Sequence, residues 1–384
     1  MRKEHFLFVL LAAGLFFLAL DAPADWSPAK RLVWNSGASS HPAAAIDSED
    51  TIHVVWQDST PGNFEIYYKK STDGGTSWSS NQRITWTSSY SYDPAIAIDS
   101  EDAIHVVWED DTPGNWEIYH KKSTDGGTTW SPTRRITWTS GETQGPAIAL
   151  DSSLNTHVVW HDDLPGNYEI YYKRSTDGGT DWSPTQRLTW TAEYSMDPDI
   201  AVDPGNTIYV AYRDNTPGNE EVYLKRSSSA GKGWDAAKRL TWTSGWSQFS
   251  TLAIDGAGGI HLVWDDPTSG NAEIYHKKST DGGDHWSAIK RLTWTSNGSF
   301  EPDMAVGATD NIHVVWEDFT PGVPEIYYKT SADGGATWSA VQRITWTSGQ
   351  SMAPSIAADS SGAVHVFWHD NTPGNYEIYY KKGN

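Results

Sequence analysis

The chain has 384 residues, including 22 Trp, 18 Tyr and 33 Gly, with no Cys and a formal net charge of −21. The absence of Cys excludes disulfides, thiolate metal sites and a Cys nucleophile. The acidic balance argues against nucleic acid or an anionic membrane as the main partner, because both repel such a chain. An aromatic-rich and glycine-rich composition is typical of an all-β protein.

The first 24 residues have the pattern of a cleavable secretory signal. Arg2 and Lys3 precede an apolar run over 6–20, which is short for a membrane span, and small residues follow at 22–24. We therefore expect a mature chain that begins at Asp25 and is secreted or periplasmic. No later segment has the length and hydropathy of a membrane span, so no membrane insertion is expected after signal removal.

The rest of the chain repeats a unit of 52 residues seven times, and three Trp series mark the repeat. The first series is Trp26, Trp78, Trp130, Trp182, Trp234, Trp286 and Trp338; the second is Trp34, Trp86, Trp138, Trp190, Trp242, Trp294 and Trp346; the third is Trp56, Trp108, Trp160, Trp264, Trp316 and Trp368, with Tyr212 in its fourth slot. A period of this length without insertions is typical of stacked repeat folds.

Each unit contains four predicted strands. In the second unit they cover 94–99, 103–109, 116–122 and 134–139, separated by clusters of Gly, Pro, Asp and Ser. Connections this short join antiparallel neighbours, and four-stranded units of this size are typical of propeller blades.

The two ends of the chain predict how the ring closes. The N-terminal segment 30–34 reads as a lone fourth strand, and the chain stops after a third strand that ends at Lys382. The N-terminal strand would therefore complete the seventh blade, whose other strands lie within 354–382. We predict an all-β, seven-bladed propeller of four-stranded antiparallel blades over 25–384.

The segment Ser71-Thr72-Asp73-Gly74-Gly75-Thr76-Ser77-Trp78 recurs at 123–130, 175–182, 279–286 and 331–338. It resembles the Asp-box, or BNR, repeat of the sialidase superfamily. We interpret the motif as structural: the Asp would tie down backbone N–H groups, the glycines would take positive φ, and the Trp would pack on the neighbouring blade. In the fourth unit Ser229 replaces the Asp.

The resemblance also implies what a sialidase would need, namely three clustered Arg, a Tyr–Glu nucleophile pair and an acidic proton donor on a six-bladed ring. Most Arg here share one slot on the outermost strand: Arg31, Arg83, Arg135, Arg187, Arg239, Arg291 and Arg343. Arg213 alone is placed near the central mouth, and the Phe-Arg-Ile-Pro signature is absent. We therefore assign no catalytic residue and no cofactor; a sialidase-like hydrolase using Arg213 with Glu301, Asp93 or Asp197 remains the alternative.

Three polar series recur in every unit and are interpreted as scaffold. The His series is His53, His105, His157, Tyr209, His261, His313 and His365; the Asp series is Asp58, Asp110, Asp162, Asp214, Asp266, Asp318 and Asp370; the Glu series is Glu65, Glu117, Glu169, Glu221, Glu273, Glu325 and Glu377. On the second strand from the axis the His are too far apart to share a metal ion, so no metal site is predicted and packed, hydrogen-bonded His are expected. The Asp and Glu are interpreted as a hairpin clasp, with repeated Ca²⁺ binding as the alternative.

Function is expected where the period is broken, because all blades share the needs of the scaffold. The off-pattern aromatic residues and Arg213 fall on the face formed by the between-blade connections and the Thr-Pro-Gly-Asn loops. The predicted ligand-binding residues are Tyr90, Tyr92, Trp116, Tyr168, Tyr194, Arg213, Trp246, Phe249 and Phe300.

Exposed aromatic rings beside Asp, Glu, Gln and Asn suit sugars, whose C–H faces stack on the rings while the hydroxyls take hydrogen bonds. The leading hypothesis is a monomeric, non-enzymatic extracellular module that binds a glycan or a protein through this face. A sialidase-like glycoside hydrolase and a protein-interaction scaffold are the alternatives.

Overall fold

The computed structural model describes residues 25–384, and the predicted secretory signal lies outside them. The described residues form seven four-stranded antiparallel sheets, as the repeat predicts. No helix in this part of the chain is long and apolar enough to cross a membrane.

Each blade is a meander whose first strand lies at the axis and whose fourth lies at the rim. The first strands are β2 (Ser39–Ile46), β6 (Ser91–Ile98), β10 (Thr143–Leu150), β14 (Ser195–Val202), β18 (Gln248–Ile254), β22 (Ser299–Val306) and β26 (Ser351–Ala358). The second strands are β3 (Ile52–Asp58), β7 (Ile104–Asp110), β11 (Thr156–Asp162), β15 (Ile208–Asp214), β19 (Ile260–Asp266), β23 (Ile312–Asp318) and β27 (Val364–Asp370).

The third and fourth strands complete the blades. The third strands are β4 (Glu65–Ser71), β8 (Glu117–Ser123), β12 (Glu169–Ser175), β16 (Glu221–Ser227), β20 (Glu273–Ser279), β24 (Glu325–Ser331) and β28 (Glu377–Gly383). The fourth strands are β1 (Lys30–Arg31), β5 (Gln82–Arg83), β9 (Arg134–Arg135), β13 (Gln186–Arg187), β17 (Lys238–Arg239), β21 (Lys290–Arg291) and β25 (Gln342–Arg343).

The ring closes through its N-terminal strand. The seventh sheet has the order β1-β28-β27-β26, and Lys30 pairs with Tyr380 in its β1–β28 ladder. The backbone N–H of Leu32 extends the pairing by donating to the carbonyl of Ile378. The predicted closure is confirmed, and it leaves no blade with an open inner edge.

The fourth strands are shorter than predicted, and a side chain explains why. In the second blade the ladder ends at Arg135, whereas the sequence predicted strand to residue 139. The backbone N–H of Ile118 donates to the hydroxyl Oγ1 of Thr137 at 2.8 Å, so a side chain replaces the next carbonyl of the ladder.

The core lies between the blades rather than within any one of them. The Trp of the third series are at most 1 % exposed and pack with Val and Ile side chains of their own blade and of the preceding blade. The Trp of the first series pack edge-on against the preceding blade, as Trp130 does on Tyr68 with ring centroids 5.2 Å apart. Each sheet buries its faces only by stacking on its neighbours in the ring.

The second Trp series is not part of the core. These rings are 66–69 % exposed and form a belt around the rim. Between the first and second blades the guanidinium of Arg83 lies 5.6 Å from the centroid of the Trp86 ring, and Lys121 Nζ of the second blade lies 5.4 Å from that centroid. The indole of Trp86 therefore covers two cations by cation–π contact, while its other surface stays in solvent.

Candidate functional site

Every first strand begins with the same bulge, and these bulges form the rim of the axial channel. In the second blade Tyr92 pairs with Glu109 and Ala95 pairs with Val107, so Asp93 and Pro94 face a single partner residue. The bulge residues, called the mouth ring below, are His41, Asp93, Gly145, Asp197, Phe249, Glu301 and Ala353. They line a cavity of about 480 Å³ at the end of the channel.

All seven residues of the mouth ring have positive φ, although only one is Gly. Phe249 has φ 46°, Glu301 47° and Ala353 46°, and the three occupy a conformation that costs a non-Gly residue of order 1 kcal/mol or more. The backbone is the same in every blade while the side chain changes from blade to blade. The ring therefore presents six different residue types at seven positions to one cavity from one repeated conformation.

A second ring of polar side chains supports this conformation from the preceding blade. It is called the supporting ring and comprises Gln57, Glu109, His161, Arg213, Asp265, Glu317 and His369. The backbone N–H of Asp93 donates to Gln57 Oε1 at 2.9 Å, and that of Gly145 donates to Glu109 Oε2 at 2.9 Å. Gln, Glu, Asp and His at this slot all accept such a bond, which holds the bulge of the following blade.

Arg213 is the exception, because a guanidinium cannot accept a hydrogen bond. Its Nε lies 2.7 Å from Asp197 Oδ2, and its Nη1 donates to Glu220 Oε1 at 2.7 Å. The guanidinium also lies 6.0 Å from the centroid of the Phe249 ring. The sequence placed Arg213 at the mouth, and it is there, but two carboxylates of the protein already engage it.

Burial sets the protonation of the supporting ring. It raises the pKa of Glu109 to about 8, with nearby Asp93 adding to the effect, and it raises the pKa of Glu317 to about 8, with Glu301 adding. Burial also raises the pKa of Asp303, which lines the channel beneath the ring, to about 6. At neutral pH the mouth therefore contains buried carboxylic acids as well as carboxylates.

Four aromatic side chains form a shelf beside Asp93. The rings of Tyr90 and Tyr92 are parallel within 4° with centroids 5.7 Å apart, and Tyr92 also contacts Trp116 at 5.5 Å and Phe64 at 5.0 Å. Tyr90 is 43 % exposed, so one end of the shelf is open to a ligand. Three of these residues were predicted; Phe64 was not, although it occupies the same slot as Trp116.

The other predicted residues lie on the same face but in separate groups. Tyr194 donates from its hydroxyl to Glu220 Oε1 at 2.8 Å and so joins the network of Arg213. Tyr168 packs edge-on against His161 at 5.1 Å, and Phe300 against Phe319 at 5.5 Å.

Trp246 and Phe249 are both exposed on this face, and Phe249 belongs to the mouth ring. The Thr-Pro-Gly-Asn loops and the between-blade connections do lie on one face. In the second blade Asn115 Nδ2 of such a loop donates to the carbonyls of Thr139 and Gly141 in the connection.

The recurring polar series have structural partners. His53 is buried, with Nδ1 2.7 Å from the hydroxyl of Tyr68 and Nε2 3.1 Å from Asp47 Oδ2. Glu117 Oε1 accepts bonds from Arg135 Nη2 at 2.6 Å and from the N–H of Thr139 at 2.9 Å.

In the same hairpin Asp110 Oδ2 accepts a bond from the hydroxyl of Ser91 at 2.7 Å, and Oδ1 accepts one from the N–H of Thr112 at 2.9 Å. The hairpin clasp is confirmed. Within residues 25–384 no three His, Asp or Glu converge as metal ligands would.

The Asp box also has the predicted structural role. Asp73 Oδ1 accepts bonds from the backbone N–H and Oδ2 from the hydroxyl of Ser77, at 2.8 and 2.6 Å. Those bonds hold the pKa of Asp73 near 2. In the fourth unit the hydroxyl oxygen of Ser229 accepts the matching bond from the N–H of Gly233 at 2.9 Å, which explains why the Asp is dispensable there.

Sequence reasoning missed the supporting ring except for Arg213. The signal was present, because this slot directly follows the Trp of the third series and changes in nearly every unit while its neighbours stay constant. The slot lies in a strand, where variation from blade to blade is a weaker sign of function than in a loop.

A family model for the BNR repeat-like domain matches residues 50–314, which is more than half of the chain. The chain belongs to the BNR repeat-like domain family. A comparison with curated protein sequences gave no match.

Several solved propellers share the fold of this BNR repeat-like chain. A PL25 ulvan lyase bound to a GlcA–Rha3S saccharide is 13 % identical, with a TM-score of 0.65 over 91 % of this chain and 95 % of that one. The intramolecular trans-sialidase of Ruminococcus gnavus is 11 % identical, with a TM-score of 0.54 over 92 % and 97 %. The α-L-arabinanase of Penicillium chrysogenum is 12 % identical, with a TM-score of 0.53 over 90 % and 93 %. Identities this low show the fold alone.

Proposed function

We propose that this BNR repeat-like propeller is an exported carbohydrate-recognition module that binds neutral glycans at the axial mouth. The observation that carries the proposal is the aromatic shelf of Phe64, Tyr90, Tyr92 and Trp116 beside Asp93 of the mouth ring. Half-buried, mutually packed rings lose little conformational freedom on binding, and their flat faces suit the C–H faces of a sugar.

The charge of the mouth supports a neutral ligand. A carboxylated or sulfated sugar needs a free cation, and the guanidinium of Arg213 is already paired with Asp197 and Glu220. Asp93 lines the same cavity and would repel an anion. The ulvan lyase complex contains the anionic GlcA–Rha3S saccharide, whereas the arabinanase complex contains the neutral arabinobiose.

A glycoside hydrolase is the second candidate, and Glu109 and Glu317 favour it. Both side chains are at most 4 % exposed, and burial keeps their carboxyls protonated near pH 7. A protonated carboxyl beside a carboxylate is the pair that glycosidic bond cleavage uses. In the binding module these acids instead serve as hydrogen-bond acceptors for the mouth ring, and the two roles are separated by assaying turnover.

The test is calorimetric titration of the mature chain with neutral cello-, xylo- and arabino-oligosaccharides and, in parallel, with sialyllactose. We expect binding of at least one neutral series and none of sialyllactose. Tyr92→Ala should weaken that binding by about 10-fold, since each aromatic contact contributes about 1 kcal/mol or more. Tyr376→Ala is the matched control, because it removes an aromatic ring from the slot of Phe64 and Trp116 in a blade outside the shelf.

Preferential binding of sialyllactose, or neutral binding that Tyr92→Ala leaves unchanged, would contradict the proposal. Release of reducing sugar from the same oligosaccharides, abolished by Glu109→Gln or Glu317→Gln, would replace the binding module with the hydrolase.

A further inference from the structure

The junction between blades 4 and 5 departs from the way in which the mouth ring is supported elsewhere. Among the described residues, six of the seven mouth-ring N–H groups donate to the supporting-ring side chain of the preceding blade. The seventh is Phe249, and its supporting residue is Arg213, whose guanidinium has no acceptor atom. The bulge at Phe249 therefore lacks the side-chain bond that its six counterparts share.

Arg213 contacts the side chain of Phe249 instead of its backbone. The guanidinium lies 6.0 Å from the centroid of the Phe249 ring, and Asp197 Oδ2 and Glu220 Oε1 each lie 2.7 Å from one of its nitrogens. Glu220 also accepts a hydrogen bond from the side-chain amide of Gln248, which precedes Phe249 in the chain. At this junction a supported backbone is thus exchanged for an aromatic ring that lies against a fixed cation.

The ring of Phe249 occupies a strained position without serving the core. Its φ of 46° lies in the left-handed region, which a bulky residue rarely adopts. Gly145 and Ala353 show that the same bulge forms without a large side chain. Phe249 is nevertheless 39 % exposed and lines the axial cavity. Strain that is retained at an exposed aromatic ring in a cavity indicates a contact with a ligand rather than packing.

Blade 5 repeats the aromatic pattern that forms the shelf in blade 2. Trp246 lies in the same between-blade connection as Phe249 is reached from and is 60 % exposed. It occupies the slot of Tyr90, the open end of the shelf, three repeats later in the chain. Both blades thus carry one exposed aromatic residue in this slot and a second one at the mouth ring or next to it, namely Phe249 in blade 5 and Tyr92 in blade 2.

These two aromatic groups lie on opposite sides of the channel. Blades 2 and 5 are three steps apart in a ring of seven, and Asp93 beside the shelf lines the same cavity as Phe249. Gly145 lies between the two blades on one side of the ring and Ala353 on the other, and their small side chains leave the mouth open. A ligand that contacts both aromatic groups must therefore cross the channel axis.

We infer that the mouth binds a neutral saccharide chain across the channel axis, with one sugar unit on the aromatic shelf and a later unit on Phe249. Trp246 borders this second subsite. A saccharide chain fits because its units repeat the same C–H face, so one ligand offers a stacking surface to both aromatic groups. The inference rests on the proposed function and specifies its ligand as an oligosaccharide that reaches both sides of the mouth, rather than a single terminal sugar.

The test is calorimetric titration with the cello-, xylo- and arabino-oligosaccharides, each as the disaccharide and the hexasaccharide. In a series that binds, the hexasaccharide should bind at least about 10-fold more tightly, since its linked units engage both subsites. Phe249→Ala should weaken the hexasaccharide by about 10-fold and leave the disaccharide, held by the shelf, within about 2-fold. Ala353 already has this backbone conformation, so the variant should fold. Phe249→Tyr keeps a flat ring and is the matched control, which should bind both lengths as the wild type does.

Tyr92→Ala should weaken both lengths, because it alters the subsite that they share. Equal affinity of the wild type for the disaccharide and the hexasaccharide, or a Phe249→Ala variant that loses affinity for both lengths or for neither, overturns the second subsite and leaves the proposed function in place. Failure of the proposed function differs from these outcomes, because the wild type then binds no neutral oligosaccharide of either length, and that result overturns both proposals.

Discussion

The two ends of the channel differ in what the seven blades share. At the mouth they share a backbone conformation, and in the Asp boxes they share side chains. In the mouth ring the backbone is constant, with φ between 45° and 61° in all seven blades, and the side chain varies from Gly to Phe. In the Asp boxes the side chains are nearly constant and fix the backbone through their own bonds, as Asp73 does with Ser71 and Ser77. A variable position supported from outside can carry specificity, whereas a position that holds its own backbone varies little.

The difference between the mouth ring and the Asp boxes follows from where the hydrogen-bond acceptors that hold each backbone lie. The mouth ring is held by acceptors in the preceding blade, such as Gln57 Oε1 for the N–H of Asp93, so its own side chain has no structural duty. In the Asp box of the second blade Gly127 lies against the ring of Tyr68 in the preceding blade. In that of the first blade the Asp73 carboxylate accepts three bonds from Ser71 and Ser77.

The largest expected effect comes from adding one methyl group to the Asp-box side. In Gly127→Ala the new Cβ overlaps the ring of Tyr68, and φ is +82°. We expect a loss of about 3 kcal/mol or more in the free energy of unfolding, from backbone strain and overpacking together. Denaturant unfolding monitored by Trp fluorescence measures it.

The matching change in the mouth ring is Asp93→Ala. Ala353 already occupies the equivalent backbone conformation, with φ 46° against 45° for Asp93. We expect a loss below about 1 kcal/mol. If Asp93→Ala destabilised the chain as much as Gly127→Ala, the distinction between a supported and a self-held position would be wrong.

The architecture followed from the sequence because its signals are local and repeated. Three Trp series in register gave the number of blades, and the positions of Lys30 and Lys382 gave the closure of the ring. The two-residue fourth strands did not follow, because the ladder ends where a Thr hydroxyl replaces a carbonyl, and composition does not reveal that exchange. The exposure of Trp86 and its counterparts did not follow either, since a recurring Trp is more often buried than laid over cations.

The candidate site was only partly predictable. The sequence placed Tyr90, Tyr92 and Trp116 on one face, but their mutual contact depends on the distance between adjacent loops. The left-handed bulge was hidden, because Phe249 and Glu301 are residue types that rarely adopt positive φ. Buried carboxylic acids such as Glu109 were hidden as well, since Glu in a strand normally predicts an exposed face.

The supporting ring gives a prediction about how the stability of the fold depends on pH. The pKa of Glu109 and of Glu317 is raised from 4.5 to about 8, so the folded chain retains protons that the unfolded chain releases between these values. Stability contributed by the protonated acids is therefore complete below pH 4.5 and is lost as the pH rises through about 8.

Glu109→Gln/Glu317→Gln removes this loss, because Gln accepts the same bond without titrating, as Gln57 does. We expect the variant to exceed the wild type by at least about 1 kcal/mol at pH 9 and to equal it at pH 4. Scanning calorimetry at both pH values measures the difference. Gln57→Glu is the inverse control and should lower the melting temperature at pH 9 only; equal shifts at both pH values would show that charge is not the cause.

The smallest expected effect tests whether the Asp of an Asp box is exchangeable. In Asp73→Ser the hydroxyl oxygen should accept the N–H of Ser77, as Ser229 accepts the N–H of Gly233 in the fourth blade. The carboxylate has a pKa lowered to about 2 by the bonds from Ser77, so its stabilising contribution is present above the ordinary value of 3.8 and is lost as the pH falls towards 2.

The variant should therefore melt slightly below the wild type at pH 7, and the gap should close near pH 2. Melting curves by circular dichroism across this range decide the point, with Ser229→Asp as the reciprocal variant that should gain stability at pH 7. A difference in melting temperature that persists at pH 2 would mean that Asp73 acts through packing. The hydrogen bond from Gly233 to Ser229 would then not explain why Ser replaces Asp in the fourth blade.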